Sequence, residues 1–213
     1  MARRPKFDGA PARHAGPELL PSLIEGTRGL ILRESLLLFA ERGYGATTVR
    51  DIAERVGILS GSLYAHFPSK EEILSQLVEM GMIEHRRSLH EAALANPTDP
   101  KSQLSSLMRT HVTFHARYAT LAMVLHAEMH VLTPAKAEHL TELREQSAQL
   151  FRDAIRDGAA SQVFDVPDVE VAAAAIVSIG VRVAYWYSPS FHLDIPTLAD
   201  QLAEIACRIV AVT

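Results

Sequence analysis

Residues 39–67 read FAERGYGATTVRDIAERVGILSGSLYAHF, and their spacing predicts two short helices joined by a tight turn. Thr48 stands where a helix N-cap is expected, and four apolar residues follow at helical spacing: Val49, Ile52, Ala53 and Val56. Gly57 ends this helix, because glycine tolerates the left-handed backbone that a sharp reversal needs. A second helix from Ser60 to about His66 is anchored from below by Leu63 and Phe67. This is the layout of a helix-turn-helix.

Helical patterns extend from this stretch in both directions. A helix capped by Thr27 and ending at about Arg42 is expected before it, and a capping box of Ser69 and Glu72 opens a long helix after it. Proline or capping residues at 99–100, 133–134 and 196–197 mark later helix starts. Because strand-like alternation is absent, we predict an all-α protein of about nine helices.

Composition excludes several other classes of protein. The 213 residues are 48% hydrophobic and 22% charged, which is typical of a soluble globular chain. A single cysteine, Cys207, rules out a disulfide scaffold and a zinc–thiolate site. No apolar leader follows the basic start, and Glu170 and Arg182 interrupt the most apolar stretch, 169–187. We therefore expect a cytoplasmic protein with no membrane partner.

Charge is distributed unevenly along the chain. Residues 1–70 hold ten Lys/Arg and seven Asp/Glu, whereas the whole chain has a net charge of -4. Residues 1–27 are rich in proline, glycine and arginine and lack an apolar period, so we interpret them as a flexible basic arm. A basic front end on an acidic body indicates an anionic partner for the front alone.

The outward face of the second short helix suits a DNA duplex. Small residues there leave room for a groove, hydroxyls reach phosphates, and an ammonium beside a helix N-terminus favours a phosphate. The candidate DNA-binding residues are Thr48, Arg50, Ser60, Gly61, Ser62, Tyr64, His66 and Lys70. The second helix has no arginine to read guanine, so discrimination would come from DNA shape, from Arg50 or from the arm in the minor groove. The alternative is three packed helices with an ordinary polar surface.

Residues 39–53, Gly57 and residues 61–71 (GSLYAHFPSKE) together resemble the N-terminal domain of the TetR/AcrR family of transcriptional regulators. The resemblance implies operator binding by a homodimer whose last two helices form a four-helix bundle. It divides the chain into the arm (1–27), a helix-turn-helix DNA-binding domain (28–75) and a ligand-binding and dimerisation domain (76–213). Two positions depart from the family pattern. Leu59 replaces the usual capping Ser or Thr, and Ser60 replaces a frequent Lys or Arg.

The last two predicted helices support a dimer on their own evidence. Small residues at 172–175 and Gly180 allow close helix approach, and Ile176, Val177, Ile179 and Val183 supply apolar contacts. A twofold dimer would present two heads to half-sites about one DNA turn, roughly 34 Å, or a multiple of it apart. A helix pair in a monomer core is the alternative.

The helices between about residues 100 and 158 are expected to enclose an effector pocket. Apolar, imidazole and guanidinium groups are mixed there, which suits an amphipathic acid such as a fatty acid or an acyl thioester of coenzyme A. The candidate ligand-binding residues are Met108, His111, His115, Met123, His126, Phe151, Arg152 and Trp186. Ordinary core packing is the alternative for each of them.

The stretches 58–64 and 185–187 also resemble a TetR subgroup that controls lipid and sterol-ring catabolism and responds to acyl-CoA. An effector would act by displacing the fourth helix, expected from Ser69 to about Glu91, and so change the separation of the heads.

Two histidine pairs at i, i+4 spacing, His111/His115 and His126/His130, could form a four-histidine cage. A metal-responsive regulator is therefore one alternative function, and a helical-bundle metal hydrolase is another. The catalytic signatures of hydrolases and phosphate-binding enzymes are absent from the sequence. We expect a regulator without enzymatic activity or cofactor, and we assign no residue as a metal ligand.

Overall fold

The computed structural model describes residues 26–95 and 98–210. Within these ranges the chain forms nine α-helices and one short 3₁₀ helix, which confirms the all-α prediction. The elements are α1 (Gly26–Arg42), α2 (Val49–Val56), α3 (Ser60–Tyr64), α4 (Lys70–Leu94), α5 (Pro100–Arg117), α6 (Ala119–Glu128), the 3₁₀ helix η1 (Met129–Val131), α7 (Pro134–Ala160), α8 (Val169–Trp186) and α9 (Ile195–Ile209).

The helix-turn-helix forms for the reasons that the sequence indicates. The Thr48 side chain accepts a hydrogen bond from the Asp51 amide, and the Asp51 carboxylate accepts one from the Thr48 amide, so α2 begins with a full capping box. Gly57 has a φ of 80°, and the Ile58 amide donates to the Ala53 carbonyl across the turn. That pattern is a Schellman ending.

Three helix ends differ from the prediction. The expected cap at Thr27 is wrong, because α1 already begins at Gly26. The third helix stops at Tyr64 rather than near His66. Ser69 caps α4 through the Glu72 amide, but the Glu72 carboxylate pairs with Lys136 of α7, with 2.7 Å between oxygen and Nζ. Residues 1–25 of the predicted arm lie outside the described residues.

Two large hydrophobic clusters hold the helices together. The first is built from α1 to α3 and the first half of α4, with Leu36, Phe39, Ile52, Leu63 and Phe67 at its centre. The second joins the end of α4 to α5, α7, α8 and α9.

The first cluster is not confined to the helix-turn-helix. It continues into α6, η1 and α7 through Leu121, Leu125 and Leu140. The sequence-based boundary at residue 75 falls within α4, which passes unbroken from one cluster to the other. The N-terminal head (residues 26–69) therefore rests on two parts of the body, α4 and the junction of α6 with α7.

Among the described helices, one, α8, has the length and the apolar composition that crossing a membrane requires. In the structure it packs against α5, α6 and α7, with Ala173, Ile176 and Val183 buried and Val171 exposed. The Asp168 side chain caps its start by accepting from the Glu170 and Val171 amides. One face of α8 thus belongs to the second cluster, as expected for a helix buried in protein.

Candidate functional site

The outer face of α3 presents small and polar groups to solvent. Gly61, Ser62 and Tyr64 are exposed, Tyr64 by 54% of its surface, while Leu63 between them is fully buried. Leu59 occupies the N-cap without a side-chain hydrogen bond and is 79% exposed. The polar face of α3 is therefore free to approach a groove, but its first turn lacks the usual side-chain cap.

Thr48 and Arg50, at the start of α2, are exposed, while Ser60 and His66 are half-buried. The Thr48 hydroxyl already donates to the Asp51 carboxylate at 2.6 Å, so it reaches a phosphate only by sharing or leaving this bond. Arg28 of α1 holds the far end of α3 by donating to the His66 carbonyl, and its guanidinium lies 4.0 Å from the centre of the Phe67 ring. These contacts fix the angle at which α3 is presented.

Lys70 points into the head. Its Nζ donates to the carbonyls of Tyr44 and Thr47, each at 2.6 Å, and lies 4.0 Å from the centre of the Tyr44 ring. Burial lowers the pKa of Lys70, with Glu128 and Asp51 acting in the opposite direction. The ammonium therefore stabilises the loop between α1 and α2. A contact with a DNA phosphate would be made in addition to these two hydrogen bonds.

A cavity of about 90 Å³ lies in the body where α4 to α8 converge. Its walls are apolar side chains interrupted by four imidazoles and one guanidinium. The lining residues are Gly81, Met82, His85, Leu89, His111, Phe114, His115, Ala122, Leu125, His126, Arg144, Ser147, Ala148, Phe151, Val177 and Val181.

Half of the sequence-predicted pocket residues meet at this cavity, namely His111, His115, His126 and Phe151. The other four lie elsewhere. Met108 is buried in the second hydrophobic cluster, and Met123 packs in a small cluster with residues of α8. Arg152 pairs with Glu145 and Glu170, and the Trp186 ring contacts Phe191 with 5.3 Å between centroids.

The histidine cage differs from the predicted one by one member. α6 ends at Glu128 and the 3₁₀ helix follows, so His130 is turned to solvent, where its Nδ1 bonds the Ala127 carbonyl. His85 of α4 takes the place that was expected for His130, and its Nε2 lies 2.9 Å from Nδ1 of His111. His126 Nε2 lies 3.5 Å from His115 Nε2.

Backbone carbonyls define the proton positions in this cluster, because a carbonyl only accepts. His111 donates from Nε2 to the Val177 carbonyl at 3.0 Å, so its Nδ1 carries a lone pair. His115 donates from Nδ1 to the His111 carbonyl at 2.9 Å, so its Nε2 carries a lone pair. His85 then donates from Nε2 to His111. Burial lowers the pKa of His111 to about 3 and also lowers the pKa values of His85, His115 and His126, so the cluster is neutral near pH 7.

His85 and Arg144 line the cavity without having been predicted from the sequence. His85 stands on an apolar stripe that the sequence contains, four residues from Gly81 and from Leu89, and a polar residue interrupting such a stripe is the signal that could have found it. Arg144 is exposed and lies at the edge of the buried face formed by Leu140, Leu143 and Ser147, so no signal in the sequence marks it.

Two families match the chain, one for each part. Residues 31–77 match the bacterial regulatory proteins of the tetR family, and residues 97–210 match the tetracyclin repressor-like C-terminal domain. The second match alone spans more than half of the chain.

Similar proteins agree with these matches. The HTH-type transcriptional repressor KstR2 of Rhodococcus jostii (strain RHA1) is 31% identical over 183 residues, which cover 84% of this chain and 89% of that protein. The solved structure of the ketosteroid transcriptional regulator KstR2 of Mycobacterium tuberculosis is 26% identical, with a TM-score of 0.82 over 94% of this chain and all of that one.

A third likeness shows the fold alone. The structure of AibR in complex with isovaleryl coenzyme A and operator DNA is 19% identical, with a TM-score of 0.76, covering 84% of this chain and 97% of that one. The helix-turn-helix, the helical body and these matches lead to one assignment. This chain belongs to the TetR family of bacterial transcriptional regulators.

Proposed function

We propose that this protein is a cytoplasmic, homodimeric transcriptional repressor that an amphipathic acidic effector, such as an acyl-CoA or a fatty acid, releases from its operator. It acts without enzymatic activity. Residues 28–75 serve as the DNA-binding domain and residues 76–213 as the ligand-binding and dimerisation domain. The observation that carries the proposal is the course of α4, which begins at the cap of the head and lines the body cavity with His85 and Leu89.

DNA binding rests on the exposed face of α3 and the residues around it. Tyr64 and Ser62 contact the groove, Arg50 contributes to sequence discrimination and Lys70 contacts a phosphate, together with Thr48, Ser60, Gly61 and His66. The names of similar proteins support repression, since KstR2 is described as a transcriptional repressor.

Dimerisation rests on the unpartnered faces of the last two helices. Val171 of α8 and Ile205 and Ile209 of α9 are exposed apolar residues, although each helix has a buried opposite face. A twofold contact through α8 and α9 would cover both sets of side chains.

The effector class follows from the chemistry of the cavity. Its apolar walls suit an acyl chain or ring system, and Arg144 supplies a cation for an acidic group. Its volume of about 90 Å³ is well below the roughly 300 Å³ at which pockets for drug-sized ligands begin. A large effector therefore enters only if the helices move apart, and α4 transmits that movement to the head. A hundredfold loss of operator affinity needs about 2.7 kcal/mol of preference for the moved state.

The DNA test measures binding of the full chain to the fragment upstream of its own gene by fluorescence anisotropy. Arg50→Ala and Tyr64→Ala should each weaken binding at least tenfold. Arg156→Ala, an exposed arginine on α7, is the matched control and should bind as the wild type does. The proposal is abandoned if the wild type shows no preference for any promoter fragment over unrelated DNA.

The effector test adds a long-chain acyl-CoA or the free fatty acid to the protein–DNA complex. Arg144→Gln should raise the effector concentration needed for release, whereas Arg152→Gln, at an arginine of the same helix that pairs with Glu145 and Glu170 and does not line the cavity, should not. Release by the acyl-CoA but not by the fatty acid would identify the thioester or nucleotide as the recognised part. Absence of release by either would overturn the effector class and leave the DNA-binding assignment standing.

A further inference from the structure

We propose that His85, His111 and His115 bind one divalent transition-metal ion of the zinc class inside the body, with His126 beside the fourth coordination position. The three imidazoles come from α4 and α5, and the ring nitrogens that they offer all lie within 4.8 Å of one another. The site is separate from operator recognition, but it lies in the cavity proposed for the effector. Zinc binding is measured without effector, so its test does not depend on the effector's identity.

Two distances between ring nitrogens in this cluster are close to the spacing in a tetrahedral site. Zinc–nitrogen bonds of about 2.0–2.1 Å place neighbouring ligand nitrogens about 3.3 Å apart. Here Nε2 of His85 and Nδ1 of His111 are 2.9 Å apart, and the Nε2 atoms of His115 and His126 are 3.5 Å apart. The ligand nitrogens of His85, His111 and His115 lie within 4.8 Å of one another, so side-chain rotations that move the farthest of them closer by up to about 1.5 Å would bring the three around one ion.

The non-coordinating nitrogens of two ligands are already bound in the manner of a metal site. Histidine ligands usually donate their other ring N–H to a carbonyl or carboxylate, which orients the ring and directs its lone pair at the ion. His111 donates to the Val177 carbonyl and His115 donates to the His111 carbonyl. Both lone pairs are thereby directed into the cluster without any rearrangement.

His85 is the residue that must change. Its Nε2–H now donates to His111, so its proton moves from Nε2 to Nδ1 when Nε2 coordinates the ion. The imidazole stays neutral, and no proton is released. The hydrogen bonds of His111 and His115 to backbone carbonyls leave the other ring nitrogen of each with a lone pair, so the ion displaces no proton from them either.

The packing of His111 shows that its position is built into the fold. A Cβ atom on Gly180 of α8 would lie 2.0 Å from Cδ2 of His111. Only glycine at this position leaves room for the ring, which is pressed against α8 and bonded to Val177 of the same helix. The ligand set therefore ties α4, α5 and α8 at one point.

The charge of the site predicts one further ligand. Arg144 lines the same cavity, and its charge adds to burial in lowering the pKa of His126. A divalent ion beside a guanidinium leaves the cavity strongly positive, so an anion such as chloride, hydroxide or a carboxylate would complete the coordination.

The test uses full-length protein without a histidine tag, stripped with EDTA and dialysed against Zn²⁺. We expect one zinc per chain by elemental analysis, and a tetrahedral d–d absorption spectrum when Co²⁺ replaces zinc. His85→Gln and His115→Gln should each weaken zinc binding at least tenfold in competition with a chromogenic chelator. His130→Gln, an exposed histidine just beyond α6, is the matched control and should bind zinc as the wild type does.

A second measurement uses the wild-type protein, so its result does not depend on whether the histidine variants fold. In two-bond proton–nitrogen spectra of the wild type, Zn²⁺ should shift the ring nitrogens of His85, His111 and His115, with smaller changes at His126. Of the ten histidines of the chain, the six outside this cluster provide internal controls in the same spectrum. Zinc bound at less than one ion per chain, or shifts confined to exposed histidines such as His130 and His139, would overturn the proposal while operator binding remains unaffected.

Discussion

The backbone amide of Tyr44 donates a hydrogen bond to the carboxylate of Glu128, with 3.1 Å between the nitrogen and Oε1. Tyr44 lies in the loop that precedes α2, and Glu128 is the last residue of α6. The neighbouring Thr133 amide donates to Glu71 of α4 at 2.8 Å. The junction of α6 and α7 therefore holds the head directly, in parallel with the connection through α4.

Replacing Glu128 should weaken this second connection. In Glu128→Ala the Tyr44 amide loses its partner, and we expect the free energy of unfolding to fall by about 1 kcal/mol. The effector should also release DNA less completely, because a movement of α6 is no longer transmitted through this hydrogen bond to the loop that precedes α2. Glu128→Gln keeps an accepting oxygen and should behave like the wild type. Thermal melts and anisotropy titrations measure the two effects, and an unchanged effector response in Glu128→Ala would show that α4 alone transmits the signal.

We expect Lys70 to stabilise the fold, whether or not it also contacts DNA. Lys70→Met keeps the apolar stem but leaves the Tyr44 and Thr47 carbonyls without their ammonium donor. We expect a loss of about 1–3 kcal/mol in unfolding free energy. If the ammonium also neutralises a phosphate, the slope of log affinity against log salt falls by about 0.9.

The salt titration separates the two roles of Lys70. An unchanged slope together with lowered stability would remove Lys70 from the phosphate contacts. Lys101→Met, an exposed lysine at the start of α5, serves as the control for both measurements.

A capping residue at position 59 should stabilise α3. Leu59 provides no hydrogen bond to the free amides of the first turn and exposes most of its apolar side chain. Leu59→Ser restores an accepting oxygen, for which we expect a gain of about 0.5–1 kcal/mol by urea unfolding. Leu59→Ala, which shortens the side chain without adding a cap, is the control, and an equal gain in both variants would contradict the capping argument.

Stability should fall as the solution becomes mildly acidic. In the unfolded chain the histidines titrate near their ordinary pKa of about 6.5, whereas burial lowers the pKa values of His85, His111 and His115 in the folded state. The unfolded state therefore binds more protons below that pH. The contribution is complete above about pH 6.5 and is lost progressively toward the folded-state values, at up to about 1.4 kcal/mol per pH unit for each histidine.

Urea unfolding in EDTA at about pH 7 and about pH 5 measures this dependence. His115→Gln should reduce the pH dependence by one histidine's share, while His130→Gln should leave it unchanged. A pH dependence equal in His115→Gln and the wild type would mean that His115 is not held neutral in the folded protein.

Local signals made the head predictable. The cap at Thr48, the turn at Gly57 and the buried Leu63 depend on residues within a few positions of one another, and each was read correctly from the sequence. The error at Thr27 is of the same local kind, because a threonine next to a helix start can equally lie in the first turn, as Thr27 does in α1.

The cavity was less predictable because it depends on how distant helices rotate about their axes. The i, i+4 spacing correctly placed His111 and His115 on one face of α5, but it could not show that α6 ends before His130. Nor could spacing within one helix reveal that His85, 26 residues before His111, would be its hydrogen-bond partner. Met108 and Trp186 have the same apolar character as true lining residues, and only tertiary packing separates the two groups.

The continuity of the first hydrophobic cluster across α6 and α7 has a practical consequence for protein engineering. A truncated head ending within α4 would expose the apolar surface that Leu121, Leu125 and Leu140 now cover. A chimaera that joins this DNA-binding head to another ligand-binding body should therefore include residues 119–143 together with 26–94. Otherwise the contact surface between the head and the new body has to be redesigned.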